Sequence, residues 1–513
     1  MTSAIIATLH ATTKCFFRFC LLVVKMENAG EYYEANRLQA FSDAVCSIVA
    51  TILILPLRNV TKSSNEHFPD YLKGREDLII VYFLAFLLIC SVWESHIIRW
   101  IVISYVDDVL VWLNIISLLF ISFLPFVVRL VSDYPHKKTP IVLSCCLLLV
   151  LELIEMAMVA YTFFRQKLLR WDLINLLPSE LKQKRNYILK RRVLNIALYI
   201  CAAALGYVNL TISWILIVLV IVSPCINRLF EVIVHKMNFS AETQHISLYN
   251  NIISKERVEC FSDGVYAIVA TLLILDITSE DFPTPREVQQ NGMEKALVDM
   301  WPKYITYVGT FTVCGLLWFV HHSLFHSMKK VNYAMLIINN ISLSCVGSLP
   351  FLTSLLNKYA EKPQEVDRYA IQFGSLIVGV AGLCQFAIFT LALWNSSQYV
   401  PHHLIPVGVG LSRHNYLIIK LLLIPLVAII IFCSSFANQS VIFATYHTLV
   451  LITPVLFILV KLIYFRIFKD QVAIMNVVDH ENQPAWSTRN IHVASTQERP
   501  SGETFSPAYD QYS

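Results

Sequence analysis

Residues 41–55, FSDAVCSIVATILIL, recur at 261–275 as FSDGVYAIVATLLIL, with 11 of the 15 positions identical at a spacing of 220. Each copy opens on Ser-Asp and then turns wholly apolar. Two more markers repeat. Trp93-x-x-His96 returns as Trp318-x-x-His321, and Asn114 with Leu124-Pro125-Phe126 returns as Asn339 with Leu349-Pro350-Phe351, all at a spacing of 225. The change from 220 to 225 puts five extra residues in one loop of the second half. One offset held across two separate segments marks an internal duplication.

Hydrophobic residues are 56% of the 513 and charged ones 15%, against roughly 25% charge in a soluble domain. Runs of about 20 apolar residues cross a bilayer as helices, and the chain offers twelve such windows. They are 37–57, 78–101, 108–130, 140–164, 190–208 and 210–231, then 257–277, 303–325, 331–356, 368–394, 414–435 and 439–465. Six spans per half return the chain to its starting side, so the halves are parallel repeats. The expected fold is all-α and polytopic: twelve transmembrane helices in two parallel six-helix repeats. The expected divisions are an N-terminal cytosolic extension (1–34), the first repeat (35–231), a cytosolic linker (232–254), the second repeat (255–465) and a disordered cytosolic tail (466–513).

Loop 165–192 carries Arg165, Lys167, Arg170, Lys182, Lys184, Arg185, Lys190, Arg191 and Arg192. The positive-inside rule makes it cytosolic, with both termini. The sequon at Asn59 then falls in the first outer loop, as a glycosylation candidate. The 13 cysteines include no CxxC pair, so neither a zinc site nor a disulfide framework is expected. A net charge of +4 gives no reason to expect nucleic acid.

At 100° per residue, Ile48, Ile52 and Leu55 fall within about 40° of Phe41, and the second copy gives Phe261, Ile268, Leu272 and Leu275. Asp43 and Asp263 lie about 200° away, on the opposite face. A carboxylate inside a bilayer costs at least ~2.5–3.5 kcal/mol at the centre and finds a partner. Arg37 is six residues back, not a helical neighbour spacing. The alternating spans instead bring His96 and Asn114 to the depth of Asp43 and Ser42, and His321 and Asn339 to that of Asp263 and Ser262. This reads as an interhelical polar knot. It can simply lock helices together, or handle ions or protons directly. His96 and His321 would then add pH sensitivity, since imidazole titrates near neutrality. The apolar stripe reads first as core or lipid contact, yet it is copied while the flanking loops diverge. Two copies per chain, paired with a second chain, place four like helices around an axis, and four apolar stripes make a hydrophobic constriction. Thr51 and Thr271 flank the stripe and either bond a carbonyl one turn back, the favoured reading, or line the passage.

The paired Arg37-x-x-x-Phe41-Ser42-Asp43 and Arg257-x-x-x-Phe261-Ser262-Asp263 resemble the first-helix signature of the endolysosomal potassium channel family typified by transmembrane protein 175, over about residues 35–465. The resemblance implies a homodimer with a pseudo-fourfold pore in endosomal and lysosomal membranes, passing potassium and, at acidic luminal pH, protons; no bound cofactor or metal is expected. It places the constriction on Ile48 and Ile268, continues the wall with Ile52, Leu55, Leu272 and Leu275, and gives the Arg-Phe-Ser-Asp residues the task of holding the pore helix. The chain lacks a TVGYG loop and an Arg-repeat sensor helix, so selection falls to the constriction.

A secondary transporter is the main alternative. Glu152 and Glu155 are charged midplane residues, but the matching stretch 378–386 reads as apolar, and an unbroken first helix favours a channel. No HExxH, GxSxG or Walker pattern supports an enzyme. A scaffold is the third reading: loop 165–192 and the tail offer docking surfaces for cytosolic regulatory proteins or anionic lipid.

Overall fold

The computed structural model describes residues 32–58, 67–73, 75–206, 208–237, 254–275, 277–278, 282–359, 366–394, 396–401 and 409–467. Apolar segments in a bilayer satisfy their backbone only as helices or closed barrels, and helices form here. The first half contains α1 (Asn36–Ile52), α2 (Glu76–Trp100), α3 (Asp108–Asp133), α4 (Lys138–Phe164), α5 (Pro178–Leu205) and α6 (Leu210–Met237). The second contains α7 (Lys255–Leu272), α8 (Trp301–His326), α9 (Tyr333–Gly347), α10 (Leu349–Tyr359), α11 (Arg368–Trp394), α12 (Val409–Ser434) and α13 (Gln439–Ile467). Among the described residues, nine stretches are long and apolar enough to cross a membrane, α9 and α10 counting as one. Helices α5 and α6 are apolar over the shorter stretches Arg192–Leu205 and Leu210–Ser223. The protein is all-α and polytopic, apart from a two-residue ladder of β1 (Tyr33–Glu34) with β2 (Tyr105–Val106).

Four details depart from expectation. The fifth window begins at Pro178 rather than 190, because Pro at the first helical position and Glu180 in the first turn start a helix inside the basic segment. Loop 165–192 is therefore largely helical. The first span is interrupted: α1 stops at Ile52, turns at Leu53–Ile54 and resumes as a short helix Leu55–Arg58. The window 331–356 breaks at Ser348, two residues before Pro350, whose ring cannot continue the hydrogen-bond ladder. Helix α3 nonetheless runs through Pro125. Asn59, the extension 1–31, most of the linker and the tail beyond 467 lie outside the described residues.

The longer loop of the second half holds two short helices, Pro285–Asn291 and Met293–Asp299. A capping box starts the first: the Thr284 N–H and hydroxyl bond Glu287 and hold its carboxyl below the usual range. One apolar core runs through both halves, from Phe86, Trp93 and Ile121 to Phe261, Leu317 and Phe389. Tyr82 donates to the Ser344 carbonyl at 2.9 Å, and the Phe68 N–H donates to Asp367 at 2.9 Å. The duplicated helices α1 and α7 pack directly on each other.

Candidate functional site

The α1–α7 junction is where the duplicated segments meet. The Arg257 guanidinium donates to Asp43 Oδ1 at 2.7 Å and to Gln39 Oε1 at 2.7 Å. The Trp93 indole N–H donates to the same Asp43 oxygen at 2.8 Å. Beneath that pair, the Trp93 ring stacks on Phe261 with centroids 4.0 Å apart, and the Ser47 hydroxyl donates to the Phe261 carbonyl at 2.9 Å. Gly264 permits this approach: a Cβ there would sit 2.7 Å from Ser47 Oγ. The buried carboxylate is thus neutralised by the arginine of the other repeat, as a charge removed from water requires.

This places the expected residues differently from the sequence reading. Asp43 does not join His96 and Asn114; its partners are Trp93 and Arg257. Phe261 is wholly buried against Trp93, so in the second copy the phenylalanine of the stripe is packing, whereas Phe41 of the first copy is exposed. Ile48 is exposed, and Ile52, Leu55, Ile268, Leu272 and Leu275 are half-buried, so a single chain does not fully cover the rest of the stripe. Thr51 bonds the Ser47 and Ile48 carbonyls, at 3.0 and 2.9 Å, and Thr271 bonds that of Ile268 at 2.8 Å.

The remaining polar residues of the first repeat form a second network that joins all six of its helices. Asn114 donates to Ser42 Oγ at 3.1 Å and accepts from Arg99 at 2.8 Å. Arg99 bonds Glu155 at 2.5 Å and His96 Nε2 at 2.8 Å, and His96 Nδ1 lies 3.2 Å from Glu155. Arg192 of α5 bonds Glu152 at 3.1 Å and the Ser95 carbonyl at 2.9 Å. Asn195 joins Glu152 to Ser223 of α6.

The second repeat keeps the frame and loses the charge. Asn339 donates to Ser262 at 3.1 Å, and the Trp318 indole donates to Asp263 at 2.8 Å. Leu324 stands where the first repeat has Arg99, at the 225 spacing. Helices α4 and α11 correspond end to end at a spacing of 230 (368 less 138, 394 less 164), which puts Gln385 in place of Glu155. The stretch 378–386 is therefore not apolar throughout. Gln385 donates to the Tyr266 hydroxyl at 2.9 Å and to the Leu317 carbonyl at 3.1 Å. Arg99 serves Asn114 Oδ1, His96 Nε2 and Glu155 Oε1. The matching atoms without it, Asn339 Oδ1, His321 Nε2 and Gln385 Oε1, are buried and have no partner among the described residues. His321 thus does not join the knot; its ring lies between Tyr266 and Phe325.

A double variant tests the logic. Glu155→Gln alone leaves Arg99 uncompensated and is expected to cost about 3–5 kcal/mol. Arg99→Leu with Glu155→Gln, which rebuilds the composition of the second repeat, is expected to cost less than either single change in a thermal-unfolding cycle.

Among the described residues no group of three His, Cys, Asp or Glu is placed to hold a metal. The site offers instead a clamped pair of like helices with an apolar edge left uncovered. A family model described as the endosomal/lysosomal potassium channel TMEM175 matches residues 37–125 and 257–350. The Gallus gallus protein described as endosomal/lysosomal proton channel TMEM175 is 34% identical over 457 residues, covering 84% of this chain and 87% of that one. The Homo sapiens protein of the same description is 31% identical over 454 residues, covering 85% and 88%. A potassium channel of Streptomyces collinus is 36% identical over 125 residues, 24% of this chain and 58% of that one. A crystal structure of a lysosomal potassium-selective TMEM175 homolog from Chamaesiphon minutus covers 39% of this chain and 96% of its own, at 23% identity and a TM-score of 0.33. The duplicated Arg-x-x-x-Phe-Ser-Asp helices lie inside both matched segments, and the chain belongs to the TMEM175 family of endosomal/lysosomal ion channels, not to a family of enzymes.

Proposed function

We propose that this protein is a cation channel of endosomal and lysosomal membranes that passes potassium and, at acidic luminal pH, protons. It works as a homodimer whose four copies of the duplicated helix, two α1 and two α7, surround the passage. The observation that carries this reading is a half-used interface. Within one chain, Arg257 and Phe261 of α7 meet Asp43 and Trp93. The equivalent residues on the outer faces are left over. Phe41 is 54% exposed and Trp318 40%, while their counterparts Phe261 and Trp93 are both 0%. Arg37 and Asp263 are exposed as well. A second copy turned about a twofold axis supplies each leftover with its mate: Arg37 to the other copy's Asp263, Phe41 to the other copy's Trp318. Isologous closure of this kind is the commonest way two chains complete a ring.

In that assembly Ile48 and Ile268 form the narrowest ring, Ile52, Leu55, Leu272 and Leu275 continue the wall, and Thr51 and Thr271 flank it. Ser42, His96, Asn114, Ser262, His321 and Asn339 brace the back of the pore helices. With α5, α6 and α7 added to the nine long apolar stretches, the spans number twelve, which leaves both termini on one side, the cytosol by the positive-inside rule, and Asn59 on the luminal side. The proposed divisions remain the two repeats at 35–231 and 255–465, joined by a cytosolic linker.

Purified protein in liposomes under a potassium gradient tests this. The wild type is expected to run as a dimer and to release potassium. Arg37→Glu, which sets two acids face to face, is expected to split the dimer and abolish the flux, and Asp263→Arg in the same chain is expected to restore both. An Arg37→Glu protein that stays dimeric and conducts rejects the assembly.

A further inference from the structure

Helices α8, α12 and α13 contain no Asp or Glu, yet α12 and α13 carry the basic residues Lys420, Lys461 and Arg466. Lys420 is one of these. It lies inside an apolar span and is 7% exposed. Its ammonium donates to Ser323 Oγ at 2.7 Å, sits 3.6 Å from the centre of the Phe319 ring and lies 5.7 Å from that of Tyr416. No carboxylate is paired with it among the described residues. Another cation, Lys461 of α13, which is exposed, acts on it electrostatically. Arg466 follows a turn later on α13, also exposed. A buried ammonium ordinarily sits with a counter-charge, because burying a lone ion costs several kcal/mol. Here the fold supplies a second positive charge instead.

One helical turn deeper, about 6 Å along the axis, the same three helices open a cavity. Leu316 follows Phe319 on α8, Ile424 follows Lys420 on α12, and Thr453 follows Phe457 on α13. With Gly374, Val427 and Val450 they line an apolar space of about 70 Å³. The Thr453 hydroxyl is turned back onto the Leu449 carbonyl, so it offers the cavity no donor. Gly374 leaves the space open, since a Cβ there would meet nothing within 4 Å. The rings of Phe319 and Phe457, 6.3 Å apart, stand at the boundary between the cationic and apolar parts.

We infer that this is a site for an anionic phospholipid. Its phosphate lies between Lys420 and Lys461, and part of an acyl chain enters the cavity. Basic pockets between membrane helices hold phosphate headgroups in this way, and a dry apolar cavity accepts hydrocarbon rather than water. The first repeat lacks the arrangement: its buried cation on the fifth helix, Arg192, is already paired with Glu152. The inference does not depend on which ion the protein conducts.

The test is a titration of full-length purified protein, followed by native mass spectrometry, with a long-chain phosphatidylinositol phosphate, its soluble inositol phosphate headgroup, and phosphatidylcholine. The long-chain phosphoinositide is expected to bind saturably. Lys420→Gln and Lys461→Gln are each expected to weaken it about fivefold, and together about 25-fold. Lys461→Gln alters an exposed residue and leaves the fold intact, so its loss of binding reports the site. Gly374→Leu, which fills the cavity, is expected to weaken the long-chain lipid and leave headgroup binding unchanged. Equal binding of phosphatidylcholine, or no change in Lys420→Gln, overturns the site. A soluble headgroup that binds as tightly as the lipid overturns the membrane source.

Discussion

Replacing Ile48 and Ile268 together with Asn is expected to raise the cation current at least about tenfold, equivalent to ~1.4 kcal/mol of barrier, and to bring the potassium-to-sodium permeability ratio close to one. An ion passing a ring of isoleucines sheds part of its water and gains no ligand in return. Potassium holds its water less tightly than sodium and loses less by the exchange. A hydrophobic constriction therefore slows every ion and slows sodium most. Asparagine carboxamides remove both effects, since they wet the ring and replace the lost water ligands. Bi-ionic recordings from reconstituted protein give the ratio directly. An unchanged preference for potassium means that selection resides elsewhere.

Arg257→Ala is expected to lower stability by about 3–5 kcal/mol, the cost of leaving a buried carboxylate without its counter-charge. Asp43 is 0% exposed and keeps only the Trp93 indole once the guanidinium is gone. Lysine at 257 is expected to recover part of the loss: it restores the charge but cannot hold Gln39 and Asp43 at once. Combining Arg257→Ala with Asp43→Asn is expected to recover more of the loss than lysine does, because the neutral amide no longer needs a cation. Thermal unfolding of the purified protein measures the series. An Arg257→Ala protein that melts with the wild type contradicts the ion pair's role as the clamp between repeats.

The duplication, the helical fold and the identity of the repeated helix could all be read from the chain, because each rests on local pattern: apolar runs, a fixed spacing, and a motif within one turn. Partners that come from distant sequence could not be assigned. Asp43 and Arg257 are separated by 214 residues, and the helical-neighbour argument correctly removed Arg37 without pointing to the other repeat's arginine. Trp93 marks the repeat in the sequence, but nothing in its spacing names its indole as the donor to Asp43. Glu155 reads as an isolated charge in sequence because its partners Arg99 and Arg192 lie on two other helices, and Gln385 has no evident match because the repeats change spacing again, from 225 to 230, before the fourth helix. The spacing makes His96 and His321 equivalent, yet Leu324 and Gln385 stand where Arg99 and Glu155 bond the two ring nitrogens of His96, and His321 Nε2 has no partner among the described residues. The break of α1 near Ile52 was hidden because residues 53–55 are as apolar as those before them, and hydropathy does not record a turn.

The claim that the uncovered edge of α1 and α7 faces an aqueous ion path is tested most directly by cysteine substitution at Ile48 and, separately, at Ile268. A charged, membrane-impermeant thiol reagent is applied to reconstituted channels during recording, with the wild type as control for the native cysteines. The account predicts that the reagent blocks current in both variants, that potassium slows the block by occupying the path, and that the wild type is unaffected. Current that persists in both variants, with the introduced thiols reacting only with lipid-soluble reagents, would place these side chains against lipid and contradict the account.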